Sequence, residues 1–162
     1  MTQPLPLDAP ALDRPLAMRG STMPEASGAR PDLDAVFAAI VARSRRLFEA
    51  DAVGLWHFDA AAERPFTLAA EAGVHPDLLA VVADLRRDEP APGLRALAER
   101  TILVIDRSRA YNERLRAIYE REGIATICFV PVVLDAEPIA LLVLYHRRDH
   151  AWTDEARALA RG

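Results

Sequence analysis

The residues able to carry chemistry are few and scattered. His57, His75, His146 and His150 are the candidates for acid–base work or metal ligation. No two of them share an i, i+4 helix face, and no carboxylate sits beside them at metal-ligand spacing. A solvated or capping role is therefore their reading, and no metal is expected. Cys128 is the only cysteine, which excludes an internal disulfide and a cysteine-based zinc site. It lies in the middle of the run TICFVP, where a free thiol behaves as a small buried hydrophobe. Asp59, Glu63 and Glu71 are spread along a hairpin pattern and read as solvated carboxylates, not as a paired acid and base. No glycine-rich phosphate loop or nucleophile elbow occurs. No catalytic residue is expected, and the chain does not read as an enzyme.

Composition narrows the partners. The 162 residues suit one domain plus a tail, with enough apolar content for a core. A net charge of −4 leaves no basic footprint for direct nucleic-acid binding. No apolar run is long enough to span a membrane, and the N-terminus lacks a signal peptide, so a cytoplasmic chain is predicted. Residues 1–31 hold half of the 12 prolines: Pro4, Pro6, Pro10, Pro15, Pro24 and Pro31. Proline removes backbone donors and blocks helix propagation, so this segment reads as a disordered leader ahead of a domain at 32–162.

From Asp32 the pattern becomes periodic. Leu33, Val36, Phe37, Ile40, Val41, Leu47 and Phe48 form an apolar stripe at helical spacing. Asp51–Asp59 reads as a strand, Phe66–Gly73 as its antiparallel partner, and Val74–Leu85 as a helix with Pro76 in its first turn. A short helix over Leu94–Arg100 and a strand over Thr101–Asp106 follow. Leu115, Ile118 and Tyr119 then recur at helical spacing up to Gly123, a left-handed helix stop. Ile124–Leu134 is an apolar, β-branched run that predicts a strand covered on both faces. Asp135–Pro138 is turn-like, and Ile139–His146 is a second doubly apolar strand. Thr153 with Asp154 and Glu155 is a helix start, an N-cap followed by two carboxylates where the helix dipole favours them.

The order helix, Gly-Ile, "VPVVL" strand, tight turn, "EPIALLVLY" strand and "WTDE" resembles the C-terminal half of a GAF domain, a small-molecule-binding and signalling module of bacterial sensor proteins. The likeness extends over Asp32–Gly162. It implies an α+β, PAS-related fold: a central, mostly antiparallel sheet of five to six strands with helices on both faces. In that family a ligand pocket lies between one sheet face and its helices. The resemblance therefore implies a pocket lined by Gly54, Trp56 and Phe58 from the first strand, Ala125, Ile127 and Phe129 from the long strand, and Leu141, Val143 and Tyr145 from the last. Leu115 and Ile118 would close it from the helix above. Its polar handles would be the Trp56 indole N–H, the Tyr145 hydroxyl and Thr126 at an edge.

Several known roles of the family do not fit these residues. A covalent bilin needs a cysteine near the helix before the long strand, where this chain reads NERLRAIY. The cyclic-nucleotide signature includes a lysine, and this chain has none. Reduction of free methionine sulfoxide needs two cysteines, one to attack and one to resolve. Haem ligation by His57, His75 or His146 is less in keeping with their settings than a solvated role, so no cofactor is expected. Two readings remain. In one, an unknown small molecule binds the pocket and shifts the first and last helices of a homodimer, relaying to a histidine kinase or diguanylate cyclase, as in two-component signalling. In the other, the domain is a ligand-free dimerisation or structural module whose pocket is collapsed core. "WTDEARALARG" supplies only about two helical turns, which predicts a module cut before its output domain.

Overall fold

Strands that are apolar on both sides must be covered on both sides, and this requirement organises the chain. A computed structural model describes residues 29–162, with side chains from residue 32. The order is α1 (Ala29–Leu47), β1 (Ala52–Phe58), β2 (Phe66–Ala72), α2 (Pro76–Asp84), α3 (Pro92–Glu99), β3 (Leu103–Asp106), a 3₁₀ turn (Arg107–Arg109), α4 (Glu113–Arg121), β4 (Thr126–Leu134), β5 (Glu137–His146) and α5 (Asp154–Arg161). The five strands form one antiparallel sheet in the order β2-β1-β5-β4-β3. None of the described helices is long and apolar enough to cross a membrane.

Register sorts the side chains. Trp56 pairs with Leu141, Gly54 with Val143 and Ala52 with Tyr145, while Phe129 pairs with Val143 and Ile127 with Tyr145. These residues share one face, which α2, α3 and α4 cover with Leu78, Val82, Ala96, Leu97, Leu115, Ile118 and Tyr119. The alternate residues Val53, Leu55, Cys128, Val130 and Leu144 form a second cluster with Val41 of α1, with Phe48 just after it and with Trp152, and Ala156 and Ala160 of α5 pack against it. The α+β, GAF-like architecture expected from the sequence is the one observed.

The helix ends follow local chemistry. The Ala156 N–H donates to Thr153 Oγ1 at 3.1 Å, capping α5 as predicted. Asn112 caps α4 by accepting from the N–H groups of Arg114 and Leu115. Gly123 adopts φ +69 where the chain leaves α4 for β4.

The structure corrects four expectations. α1 starts at Ala29, within the segment read as leader, and Pro31 falls near its start, where a missing N–H is tolerated; the rest of the leader reading lies outside the described residues. The α1 stripe is not uniformly buried: Val41 and Phe48 face the sheet, whereas Leu33, Val36, Ile40 and Leu47 are exposed, because a single helix presents only one arc to the sheet. The long strand is covered on both faces only as far as Val130. Val132, Val133, Leu134 and Ile139 lie on an exposed hairpin tip, beyond the reach of either helix layer. The connection between β4 and β5 is also tighter than predicted. Asp135 and Ala136 alone make the turn, both at positive φ, and β5 begins at Glu137.

Candidate functional site

The face under α2, α3 and α4 gathers the residues expected to line a pocket. Trp56, Leu115, Ile118, Ile127, Phe129, Leu141, Val143 and Tyr145 belong to one buried cluster, and half-buried Phe58 packs at its edge. Gly54 is buried on the same face, beneath the Trp56 ring: a Cβ at Gly54 would lie 3.0 Å from the indole Nε1. Ala125 lies just before β4 and spends its N–H on the His146 carbonyl at 2.8 Å. Thr126 is not a handle of this face. It pairs with His146 in register, its hydroxyl donates to the Arg148 carbonyl, and it accepts from the His150 N–H.

Tyr119, Phe66, Val82, Leu85 and Ala91 also line the space between sheet and helices. Sequence reasoning missed them as lining. Tyr119 was legible as an apolar position of α4, one residue after Ile118. Val82 had the spacing of a buried helix position but no sign of which sheet face its helix would cover.

The enclosed space is small, a cavity of about 20 Å³ bordered by Tyr119, Tyr145, Phe129, Leu141 and Gly93. That is room for about one water molecule. Gly93 explains the tight closure. A Cβ there would sit 2.8 Å from Leu141 Cδ2, so a larger residue would displace that methyl or push the first turn of α3 off the sheet.

One polar group of this face is left unsatisfied. Trp56 is 1 % exposed, and its Nε1–H has no hydrogen-bond partner. An unpaired buried donor of this kind is destabilising by ~1–3 kcal/mol. The Tyr119 and Tyr145 rings lie 6.2 Å apart. Burial raises both phenols well above the ordinary tyrosine range, so both remain neutral donors.

Outside this core, ion pairs tie the covering helices together. Arg114 of α4 reaches Asp84 at the end of α2 at 2.8 Å and Glu89 in the following loop at 2.9 Å. Arg64 also meets Asp84, and Arg121 meets Asp77 at 2.7 Å. The hydrogen bond from Arg114, then that from Arg64, lowers the Asp84 carboxyl. Glu89 is lowered first by the Arg86 backbone N–H and then by Arg114 and Asn112.

The histidines divide. His75 caps α2 by accepting from the Asp77 N–H, and His57 is exposed with its ring edge-on to Phe37. His146 departs from the solvated expectation. It is 2 % exposed, and its Nε2 lies 3.0 Å from the Phe48 carbonyl at the end of α1. A carbonyl only accepts, so Nε2 carries the hydrogen and the buried Nδ1 is left without a partner. His150 stacks on this ring at 3.9 Å; burial first, then the His146 ring, lowers its pKa. Their i, i+4 spacing is bridged by a bend after β5, a contact that no periodicity announces. Cys128 faces α1 and not the cavity, and burial pushes its thiol up to about 12.

Among the described residues no group of three metal-ligating side chains occurs. The family model for the GAF domain matches residues 32–162. The chain belongs to the GAF domain family. Its fold is similar to three solved structures in particular. The GAF domain/HD domain protein from Geobacter sulfurreducens is 22% identical, covering 83% of this chain and 88% of that one, with a TM-score of 0.66. A domain of a protein described as a two-component sensor histidine kinase, from Sinorhizobium meliloti 1021, is 20% identical over 80% of this chain and 83% of that one, at a TM-score of 0.65. Type II free methionine-R-sulfoxide reductase from Thermoplasma acidophilum is 16% identical over 81% of this chain and 86% of that one, at 0.63. No curated protein matches the chain in sequence. Membership of the GAF family supports a signalling sensor module.

Proposed function

We propose that this GAF domain is a non-catalytic, small-molecule-binding regulatory module of bacterial signal transduction, relaying occupancy to an output domain of the histidine kinase or diguanylate cyclase class. The observation that carries the reading is the Trp56 indole N–H, buried without an acceptor on the face that also holds Tyr119 and Tyr145. A ligand with an apolar or aromatic body and one acceptor atom would satisfy that donor. Room for it requires α3 to lift, since Gly93 now holds that helix against Leu141.

β5 offers a route outward. Tyr145 faces the cavity, while the adjacent His146 faces α1 and holds the Phe48 carbonyl. The Asp51 N–H donates to the Tyr145 carbonyl at 2.9 Å, so the end of β5 and the exit of α1 move as a unit. A ligand that prefers one position of β5 thereby biases α1 and α5, which pack on the opposite face. Catalysis of the sulfoxide-reducing kind lacks its nucleophile, because Cys128 is buried on the other face with a raised pKa.

The test uses Trp56 emission in a Trp152→Phe background, titrated with phenol, indole and related small aromatics. A saturable shift in emission accompanied by a raised thermal midpoint supports binding. Unchanged emission and midpoint across the series would sink it.

A second reading, a ligand-free homodimerisation module, is favoured by the nearly filled interior and by the exposed row Leu33, Val36, Ile40 and Leu47 on α1. The spacing of that row suits helix pairing across a two-fold axis. Sedimentation of Ile40→Glu/Leu47→Glu separates the readings: a dimer that dissociates supports this one, and an unaltered mass counts against it.

A further inference from the structure

Beside the closed interior lies an open groove of about 880 Å³, within the size range of small-molecule sites. Phe58 at the end of β1, Leu94 of α3 and Pro138 of β5 form its apolar floor. Phe58 and Leu94 are only half-buried and pack on the main core from below. Arg87, Arg100 and Tyr111 stand on its rim.

The two arginines are positioned but not neutralised. Arg87 Nη1 donates to the Ala61 carbonyl at 3.0 Å, and Arg100 Nε donates to the Ala136 carbonyl at 2.8 Å. Neither makes an ion pair among the described residues. Each guanidinium therefore keeps donors free while a main-chain oxygen fixes its direction. The remaining charges of the groove are largely spent: Arg95 is paired with Glu99 at 2.9 Å, and Glu89 is held by Arg114, Asn112 and the Arg86 N–H. Glu137 is the one lining carboxylate left without a cation, against two unpaired guanidinium groups. A cationic, concave, apolar-floored groove on a chain of net charge −4 is a local inversion of sign.

The rim is also strained. Arg100 (φ 52) and Tyr111 (φ 59) both adopt the left-handed region, which is unfavourable for side chains of this bulk. Strain of this kind gathers at ligand clamps. Arg100 ends α3 in this conformation, and Tyr111 leads into the cap of α4.

We infer that this groove binds an apolar molecule carrying an oxyanion headgroup, with the rim guanidinium groups of Arg87 and Arg100 supplying donors to the anion and the Phe58–Leu94–Pro138 floor holding the body. The groove opens beside the closed interior and does not require α3 to lift, so its occupancy is read apart from that of the Trp56 cavity.

The test compares two probes on the full chain. One is 1-anilinonaphthalene-8-sulfonate; the other is its neutral parent, N-phenyl-1-naphthylamine. The sulfonate is expected to saturate one site per chain at least ~10-fold more tightly than the neutral probe, since charge-assisted bonds to guanidinium are the strong ones. Arg87→Ala/Arg100→Ala should weaken the sulfonate by ~10-fold or more and leave the neutral probe within about twofold. Arg87→Lys/Arg100→Lys should fall between, because lysine retains charge without the planar fork. Arg43→Ala, on α1 across the sheet, should match the parent chain. Thermal midpoints establish that each variant is folded, and the lysine pair serves should the alanine pair fail to fold. Equal affinity for the two probes, or undiminished sulfonate binding in the double variants, overturns the inference.

Discussion

The two faces of one sheet are built differently. Toward α2, α3 and α4, β1, β4 and β5 present Trp56, Phe129, Leu141 and Tyr145 against three short helices, and a small cavity and the unpaired Trp56 indole N–H remain. Toward α1 and α5 the same strands present Val53, Leu55, Cys128, Val130 and Leu144. There the aromatic and polar groups, Phe48, His146, His150 and Trp152, gather only at the end where β5 leaves the sheet. The cavity face thus keeps its unpaired donor, Trp56 Nε1, at the centre, while the unpaired atoms of the opposite face, His146 Nδ1 and Trp152 Nε1, sit at its margin.

Substitution of the two tryptophans puts the largest strain on this comparison. Trp56→Ala should destabilise by ~3–5 kcal/mol in urea, as for a ring enclosed in core. Trp152→Ala, at the margin of the other face, should amount to about 2–3 kcal/mol. Equal losses would mean that the faces are not energetically distinct.

Gly54→Ala probes the fit beneath the indole. The added methyl group would contact Nε1 at 3.0 Å, so the ring must move. A loss of ~1–3 kcal/mol with a shifted Trp56 emission is expected. A neutral result would show that the ring has room to spare.

Acid tests the ion pairs that hold the covering helices. Asp84 and Glu89 are both lowered from ordinary values of 3.8 and 4.5. Carboxylates with depressed folded-state values contribute fully above those ordinary values, and the contribution is lost as pH falls through and below them. Stability should therefore decline from about pH 4.5 downward. Arg114→Ala should flatten that decline while lowering stability at neutral pH only slightly, since the Arg114–Asp84 pair is exposed to solvent. Denaturant midpoints across the acid range provide the measurement, and an unchanged slope in the variant would remove Arg114 as the cause.

Tyr145→Phe carries the smallest expected effect. No protein group among the described residues accepts from or donates to its hydroxyl, so the loss should stay below ~0.5 kcal/mol. A loss of ~1–3 kcal/mol would reveal a structural partner and draw the cavity face closer in character to its opposite.

Local pattern carried much of this fold. The two-residue period of TICFVPVVL and IALLVLYH assigned Ile127 and Phe129 to one face and Cys128 to the other, and the register bears this out. Pro76, Gly123 and Thr153 marked starts and stops through backbone chemistry that acts within a few residues. Periodicity could not say how far each element is covered. Leu33, Val36, Ile40 and Leu47 have the same spacing as buried Val41 and Phe48, and Val132 to Leu134 are as apolar as Ile127 to Val130, yet both exposed sets lie outside the packed layers.

The candidate site divides along the same line. Residue types and strand parity determined which side chains share a face, because alternation is a property of the extended backbone itself. Whether that face encloses a pocket was decided by helices distant in sequence. Gly93 presses α3 onto Leu141, Tyr119 and Phe66 fill space that no motif marks, and Trp56 is left with its donor unpaired. The groove rimmed by Arg87, Arg100 and Tyr111 draws on β1, β5, α3 and two loops, and the stack of His146 on His150 needs a bend after β5. Such sites depend on the separations between elements, and those are set by packing the whole core, not by any one segment.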